Sequence, residues 1–486
     1  MVLGMSNTRN IILLISLSFI IGLAAIIHIY LPIFIIGITI YVLFLVYFHD
    51  YSWFKKILPY FLVLIIFQDL LTGLLEQLNS VLGTMISSLD ELFIVLFLPI
   101  VLYKNFKNKR FTFDFTFIAC FMIVLLGLIS SLIHSVPFTI TLQGLFLMLK
   151  GLFIFFIFRS VPFSEEDITR YIKIVKVIAV IIAIFAGIDL VFYEPFRNFL
   201  HTNNMIDVRA GIVSVQSLFI HPGVYGWFMA VVGLYCLANY TVKDDRKFGI
   251  YTILFFLAAM LSFRFKVVLT LMTTYIFSFF KLGYKKMLGR IFWIILFTTL
   301  GYYVIGDQII ELVNLTVDRY IEASYLDSAR KALYFIGYQV AMNEFPFGVG
   351  FGRYGGFIAR TNYSPVYYEY GLDKVYGLRP DDPKWATDTY WPHIIGEIGF
   401  LGGMALLAIF SYFCIYLLRA YRAENNLNIK VFYLFAVLIL IQAIVESTGE
   451  QIFNSAPGYI FIFGIIGMAF SLKQERHSDS SKTIQS

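Results

Sequence analysis

Long apolar runs recur along this chain of 486 residues, and they restrict its fold more than any other feature. Each run has about 17–22 residues with few charges, which is close to the length that a helix needs to cross a bilayer. Hydrophobic residues make up 59% of the sequence and charged residues only 14%. A soluble protein of this length could not bury so much apolar surface. The pattern therefore predicts an all-α integral membrane protein.

The runs predict about fourteen transmembrane helices. Their expected ranges are 11–28, 31–48, 57–75, 83–103, 113–133, 139–160, 171–192, 220–240, 249–263, 267–281, 291–306, 390–417, 430–446 and 457–472. The first run follows Arg9 and could pass for a signal peptide. However, the second begins at Leu31 with no polar segment or cleavage site before it, so the two are interpreted as a retained hairpin.

Lysine and arginine in the short loops predict the orientation. Six cationic clusters lie near residues 55–56, 104–110, 243–247, 281–290, 419–422 and 473–476. With both termini in the cytoplasm, all six clusters face the cytoplasm. The expected organisation begins with N-terminal transmembrane helices over 1–306, which include a short outer loop at 194–219. One long extracytoplasmic loop at 307–389, containing short helices, follows. C-terminal transmembrane helices over 390–472 and a cytoplasmic tail at 473–486 complete the chain. A loop as long as the second is usually functional.

Two cationic positions stand near the expected outer ends of helices. Arg209 precedes the sequence His221-Pro222-Gly223, in which the proline suits the first turn of a helix. Arg264 and Lys266 occupy a very short turn, where cations run against the orientation rule and usually have a function. Two interpretations are open for these cations: they contact a ligand, or their side chains reach lipid headgroups.

The long loop contains an amphipathic stretch, LDSARKALYFIGYQVAMNEFP. Leu333, Ile336 and Val340 share one face of the predicted helix, and Asp327 or Ser328 can cap it. Arg330 falls in the first turn, where a cation opposes the helix dipole unless an anion binds there. Arg330 is therefore a candidate contact for phosphate.

A glycine-rich segment, PFGVGFGRYGG, follows and contains Arg353. A nucleotide loop is excluded, because no strand precedes the segment and no GK[ST] follows it. The expected structure is a tight turn whose backbone closely approaches a ligand. Further along, 363–391 is rich in aromatic residues that suit either sugar faces or an interfacial belt. They are Tyr363, Tyr367, Tyr368, Tyr370, Tyr376, Trp385, Tyr390 and Trp391.

The junction of this loop with the next apolar run reads ATDTYWPHIIGEIGFLG. Asp388 is either a general base or the N-cap of the following helix, because a carboxylate suits both roles. His393 is the nearest substitute base. The three cysteines fall inside apolar runs and have no metal-binding spacing, so buried free thiols are expected.

Four motifs in this order carry a family resemblance. They are HPGVYG after an outer arginine, a turn with serine and arginine, SARKALYFIGYQVAMNEFPFGVGFGRYG, and TDTYWPHIIGEIGFLGG. Over about residues 205–405 the chain resembles the O-antigen polymerase and ligase superfamily, the Wzy-type polymerases and their ligase relatives. The resemblance implies a bundle of roughly a dozen helices in the bacterial cell (inner) membrane, with an outward-facing chamber. It also implies that Arg209, Arg264 and Arg330 bind the pyrophosphate of undecaprenyl-linked oligosaccharides.

Ligases of this superfamily carry His-Asn where Asp388-Thr389 aligns, and many polymerases carry Asp there. The expected function is therefore that of a metal-independent polysaccharide polymerase, a glycosyltransferase without a cofactor. Asp388, Arg264 and Arg330 are the expected catalytic residues. The expected substrate-binding residues are Arg209, His221, Lys266, Arg353, Trp385, Trp391 and His393.

The expected partners are an undecaprenyl-pyrophosphate-linked oligosaccharide and the lipid bilayer, with a chain-length regulator as a further candidate. Nucleic acid is not expected, because the cations lie between helices and the net charge is only +6. Two alternatives stay open. One is ligase-type glycan transfer, and the other is a polysaccharide flippase or transporter, for which Asp69, Lys150 and Asp189 inside apolar runs would be typical.

Overall fold

The computed structural model describes residues 51–107, 113–202, 206–209, 212–264, 267, 273–274 and 328–483. The predicted helices 11–28, 31–48 and 291–306 lie outside these ranges, as does nearly all of 267–281. Lys266 and Asp327 also lie outside them, and for Arg209 only the backbone is described.

The described part of the chain is mostly helical. Its first half contains α1 (Ser52–Ile66), α2 (Gln68–Leu78), α3 (Ser80–Ser87), α4 (Leu89–Lys107), α5 (Phe115–Ile133), α6 (Phe138–Ser160), α7 (Glu165–Val191), α8 (Tyr193–Phe199), α9 (Pro222–Lys243) and α10 (Arg246–Met260). Its second half contains α11 (Ala329–Asn343), α12 (Phe357–Thr361), α13 (Pro365–Glu369), a 3-10 turn at Leu372–Lys374, α14 (Trp391–Ala423), α15 (Leu427–Glu446) and α16 (Gly458–Thr483). Between α8 and α9, β1 (Val208–Arg209) pairs antiparallel with β2 (Ile212–Val213).

The helical membrane fold is confirmed, but the described residues contain fewer spans than predicted. Five helices are long and apolar enough to cross a bilayer, namely α5, α6, α7, α14 and α15, or up to seven if each bent pair counts as one span. The predicted helices 220–240 and 249–263 exist as α9 and α10, yet α10 has only 15 residues and α9 is less apolar. In α16 the apolar part, Gly458–Leu472, is also short. Fourteen spans therefore exceed what this part of the chain shows.

Two predicted straight helices are broken. The run at 57–75 forms α1 and α2, which meet at a bend of 70°, and the run at 83–103 forms α3 and α4, which meet at 50°. Gln68 follows the first break, and its Nε2 donates to the carbonyls of Ile86 and Ser87 at 3.0 and 2.9 Å. These carbonyls lie at the second break, where intrahelical donors are missing, so Gln68 compensates for the interruption.

Contacts between helix ends bring three cationic loops to one end of the bundle. Lys104 lies over the ring of Tyr51, and Asn105 Nδ2 donates to Ser160 Oγ at 2.7 Å. Lys55 pairs with Asp167 on α7 at 2.8 Å. Lys243 Nζ, at the last residue of α9, donates to Asn428 Oδ1 at the start of α15 at 2.6 Å. This end is called the cationic end below.

The predicted outer segments meet at the opposite end, which is called the loop end below. Because α9 and α15 run antiparallel, the start of α9 and the end of α15 both lie there. The long loop and the start of α14 join them through Trp391, whose Nε1 donates to Ser447 Oγ at 2.9 Å. Cationic and loop ends are thus separated by the length of the bundle, as the orientation argument requires.

Candidate functional site

Arg330 and Asp388 form an ion pair at the loop end, with 3.0 Å between Nη2 and Oδ2. Their side chains are 29% and 36% exposed, so the pair is accessible from outside the bundle. Arg330 lies in the first turn of α11, whose predicted apolar face is confirmed by the burial of Leu333, Ile336 and Val340. The sequence predicted that Arg330 contacts phosphate, and this stays a prediction; in the structure the anion that contacts Arg330 is the carboxylate of Asp388.

The alternative role of Asp388 as a helix cap is wrong. Helix α14 begins at Trp391, its N-cap residue is Tyr390, and no side chain caps it. Asp388 therefore lies outside the capping position, and its carboxylate is directed to Arg330. Asp388 thus contributes to the ion pair at the loop end rather than to the start of α14.

The segment 447–451 between α15 and α16 packs against the elements that carry this pair. Thr448 O accepts a hydrogen bond from Tyr334 Oη on α11 at 2.8 Å. Gly449 lies beside the Arg330 guanidinium, and a Cβ at this glycine would be 3.8 Å from Nη1. The predicted spans 430–446 and 457–472 and a cytoplasmic C-terminus imply that this segment lies outside, but the sequence assigned no role to any of its residues.

Gln451 in the same segment connects two parts of the long loop. Its Nε2 donates to Gly355 O at 2.5 Å and to Thr389 O at 3.3 Å. Gly355 belongs to the glycine-rich segment and Thr389 directly follows Asp388. The sequence contained little indication of this role, because Gln451 is only one polar residue in a loop between two apolar runs.

The glycine-rich segment approaches helices rather than an open ligand space. Helix α14 is interrupted at Gly399, where φ is +68°, and the carbonyls of Gly396 and Glu397 accept from Val349 N and Gly350 N, both at 2.9 Å. A Cβ at Gly399 would collide with Pro346 O. The backbone of this segment therefore closely approaches α14, whereas the sequence predicted that it approaches a ligand.

The same segment is also fastened to α5. Ser130 Oγ donates to Gly348 O at 2.7 Å, and Phe351 N donates to Ser131 Oγ at 3.0 Å. These bonds fix the turn that carries Arg353. The expectation of a backbone-lined ligand site is corrected to a rigid support for one arginine.

Arg353 is a partly buried cation of the described part of the loop. Among the described residues its guanidinium has no hydrogen-bond or ion-pair partner. Burial lowers the pKa of this guanidinium from its ordinary value, because desolvation disfavours the charged form. A partly desolvated arginine with no carboxylate beside it favours an anionic ligand.

His393 is a residue of the interior. It is 3% exposed, its Nε2 lies 3.3 Å from Oε2 of the fully buried Glu397 one turn later, and it packs beneath Gly355 and Gly356. Glu397 in turn accepts from Tyr354 N through Oε1 at 3.1 Å. The prediction that His393 binds substrate or replaces the base is therefore not supported by its location.

The aromatic residues divide into core and surface. Tyr367 and Tyr390 are buried, whereas Tyr368 and Tyr376 are more than half exposed. Trp385 packs edge-on against Tyr376 at 5.1 Å between ring centroids. The aromatic side chains at the surface are thus Tyr368 and Tyr376, together with the partly exposed Tyr363, Tyr370, Trp385 and Trp391.

A second polar cluster at the loop end contains Arg264, His221 and Asp207. Arg264 Nη2 lies 2.5 Å from Asp207 Oδ2 and 3.3 Å from His221 Nε2. His221 Nδ1 accepts from Gly223 N at 3.0 Å, at the start of α9, where Pro222 is the first residue as predicted. Because Nδ1 accepts, a neutral imidazole carries its proton on Nε2. The anion in contact with Arg264 is the carboxylate of Asp207, so this cluster joins the segment 206–209 to the start of α9.

Two of the three charges expected inside apolar runs are paired in the interior. Asp189 binds Arg197 through two hydrogen bonds of 2.7 and 3.0 Å and also accepts from Gln216 N and Ser217 N. This buried group anchors the outer loop 194–219. Lys150 Nζ contacts Asp90 Oδ2 at 3.2 Å and Glu91 Oε1 at 2.7 Å. Asp69 is exposed on α2.

Comparison with known proteins gives no family assignment. The sequence matches no protein-family model, and no curated protein matches it at a significant level.

Proposed function

We propose that this protein polymerises lipid-linked oligosaccharide repeat units. It transfers a glycan from undecaprenyl pyrophosphate to the hydroxyl of an acceptor sugar at the outer face of the bacterial cell membrane. The accessible Arg330–Asp388 pair carries the proposal, since transfer from a glycosyl diphosphate needs a cation for the leaving group and a base for the acceptor. The full proposal includes about fourteen spans, both termini in the cytoplasm and the loop end outside.

The leaving diphosphate has several candidate donors at the loop end. Arg353 is partly desolvated and has no described partner, and Arg264, which pairs with Asp207, lies 3.3 Å from His221 Nε2. Guanidinium groups bind phosphate oxygens bidentately, which stabilises the charge that grows as the sugar–oxygen bond breaks. Arginines at the loop end can therefore supply the electrostatic stabilisation.

The Arg330–Asp388 pair couples the two halves of the reaction. When the diphosphate binds, Arg330 exchanges its contact with Asp388 Oδ2 for a contact with a phosphate oxygen. The acceptor oxygen then bonds to the anomeric carbon while the bond from that carbon to the diphosphate oxygen breaks. The hydroxyl proton passes to Asp388, and undecaprenyl pyrophosphate leaves.

The alternatives differ from this proposal in their products. Ligase-type transfer uses the same donor chemistry but attaches a finished glycan to another carrier. A flippase moves the lipid-linked unit without making a bond, and the interior charges typical of that class are ion-paired at Lys150 and Asp189. These pairs support a structural role for the two charges and favour the enzyme.

Deletion of the gene, followed by analysis of surface glycan length, tests the proposal. The expected result is loss of long chains with single repeat units retained on the surface, and restoration by the wild-type gene. Retained polymer that is no longer attached to its carrier would indicate a ligase. Repeat units trapped on the cytoplasmic side would indicate a transporter. Either result overturns polymerisation.

A further inference from the structure

Gln451 is the one described side chain that hydrogen-bonds to both the glycine-rich segment and the junction after Asp388. It is 7% exposed, and its amide nitrogen donates to Gly355 O at 2.5 Å and to Thr389 O at 3.3 Å. An amide has two N–H groups, one for each carbonyl. Gly355 follows Arg353 by two residues, and Thr389 follows Asp388 by one. The bridge therefore spans the two segments that bear the candidate anion-binding and proton-accepting groups.

The bridge cannot be replaced by water without cost. The carbonyls of Gly355 and Thr389 both accept from the buried side chain of Gln451. Without this donor each carbonyl would be buried with no hydrogen bond, which costs free energy relative to a carbonyl in water. Gly355 has a φ of +63° and packs on His393, so its carbonyl direction is fixed by the backbone. Segment 447–451 is itself held by Trp391 and Tyr334. The backbone that carries Gln451 is therefore itself held in place by hydrogen bonds.

We propose that Gln451 is a positioning residue that sets the placement of Arg353 relative to Asp388. This inference rests on the proposed function, since it assigns a role within the same site. The amide acts through the two backbone segments and does not touch the reacting atoms. Misplacement of reacting groups by about 1 Å can reduce a rate roughly a hundredfold. Loss of both donors should therefore lower kcat by roughly ten- to a hundredfold.

Two replacements of similar size separate positioning from packing. Gln451→Met keeps the length of the side chain and removes both donors, and Gln451→Glu puts a carboxylate against two carbonyl oxygens. If the side chain merely fills space, the methionine variant should have wild-type kcat. If the donors set the site, both variants should lose kcat while the protein accumulates normally. Asn454→Ala is the matched control, because Asn454 lies in the same loop and makes no described side-chain hydrogen bond.

A double-mutant cycle with Arg353→Lys, which keeps a cation, tests whether Gln451 acts through the placement of Arg353. With purified protein and lipid-linked repeat units, Gln451→Met should add little to the partial loss caused by Arg353→Lys, because both changes act on one geometry. Fully multiplicative losses would overturn the inference, as would wild-type kcat in Gln451→Met. If Gln451→Met does not accumulate, Gln451→Asn keeps the amide on a shorter side chain. That variant should show an intermediate kcat, and a wild-type value would again overturn the inference.

The test distinguishes this inference from the proposed function. An inactive wild-type protein would remove the proposed function itself. An active wild type with an equally active Gln451→Met would leave polymerisation intact and remove only the positioning role.

Discussion

At the scale of single residues, the Arg330–Asp388 pair determines the first prediction. Arg330→Ala should reduce polymerisation about a hundredfold or more, since loss of one contact to a developing oxyanion typically costs about 2.7–4 kcal/mol. Arg330→Lys should rescue only in part, because an ammonium cannot pair bidentately with phosphate. The measurement is polymer formed per amount of membrane protein. Arg379→Ala is the control, since Arg379 is an exposed arginine of the same loop. Equal activity of the Arg330 and Arg379 variants would exclude Arg330 from the mechanism.

Asp388 gives a second prediction at the same scale. Because no side chain caps α14, Asp388→Asn and Asp388→Ala should both accumulate to normal levels and both fail to make polymer. The asparagine variant retains a hydrogen-bond acceptor for Arg330 but has no basic carboxylate. Protein level and glycan length are measured together. Near-normal polymer from Asp388→Asn would exclude the carboxylate as the base.

His393→Ala should lower the stability of the protein rather than its activity, in contrast to the Asp388 variants. His393 is buried against Glu397, so its removal leaves a fully buried carboxylate without its pair. The expected result is a less stable protein with normal activity for each folded molecule. A stable but inactive His393→Ala protein would instead place His393 in the chemistry.

At the scale of helices, charges inside apolar segments connect elements that are distant in sequence. Lys150 on α6 contacts Asp90 and Glu91 at the start of α4, and Tyr459 Oη on α16 donates to Asp90 Oδ2 at 2.9 Å. The contacts therefore join three helices at the point where α4 follows its bend. A lysine in an apolar run is expensive to bury alone, and this arrangement explains why it is tolerated.

Lys150→Met should therefore destabilise the protein by about 3–5 kcal/mol, because the buried Asp90 and the partly buried Glu91 are left without a cation. Lys150→Met combined with Glu91→Gln should recover part of the loss. Thermal unfolding in detergent measures both. Lys176→Met is the matched control, since Lys176 has no carboxylate partner among the described residues and only faces the ring of Tyr235. A Lys150→Met protein as stable as the control would contradict a structural role for this cluster.

At the scale of the whole molecule, the separation of cationic and loop ends predicts sidedness. A cysteine at Glu369, exposed in the long loop, should react with an impermeant maleimide in intact cells. A cysteine at Lys56, exposed at the cationic end, should react only after the membrane is broken. Both are placed in a background without the three natural cysteines. The opposite labelling pattern would put the candidate site in the cytoplasm.

The sequence correctly predicted structural features that depend only on residues close together along the chain. Apolar runs predicted the helices, and the 3.6-residue period predicted the buried face of α11. Pro222 correctly predicted the start of α9. The breaks at Phe67 and Ser88 were missed, since no proline or glycine marks them and the compensating donor, Gln68, lies far from the second break.

The sequence by itself determined that this protein is helical, membrane-embedded and polar at the junction near Asp388. Tertiary structure alone decided which of those polar groups meet. Arg330 pairs with Asp388 across 58 positions, and Gln451 reaches Gly355 across 96. It also decided that His393 is buried and that the glycine-rich turn supports Arg353. Local periodicity depends on adjacent residues, whereas a site depends on how separate helices pack, and helical spacing along one segment carries no information about its distant partners.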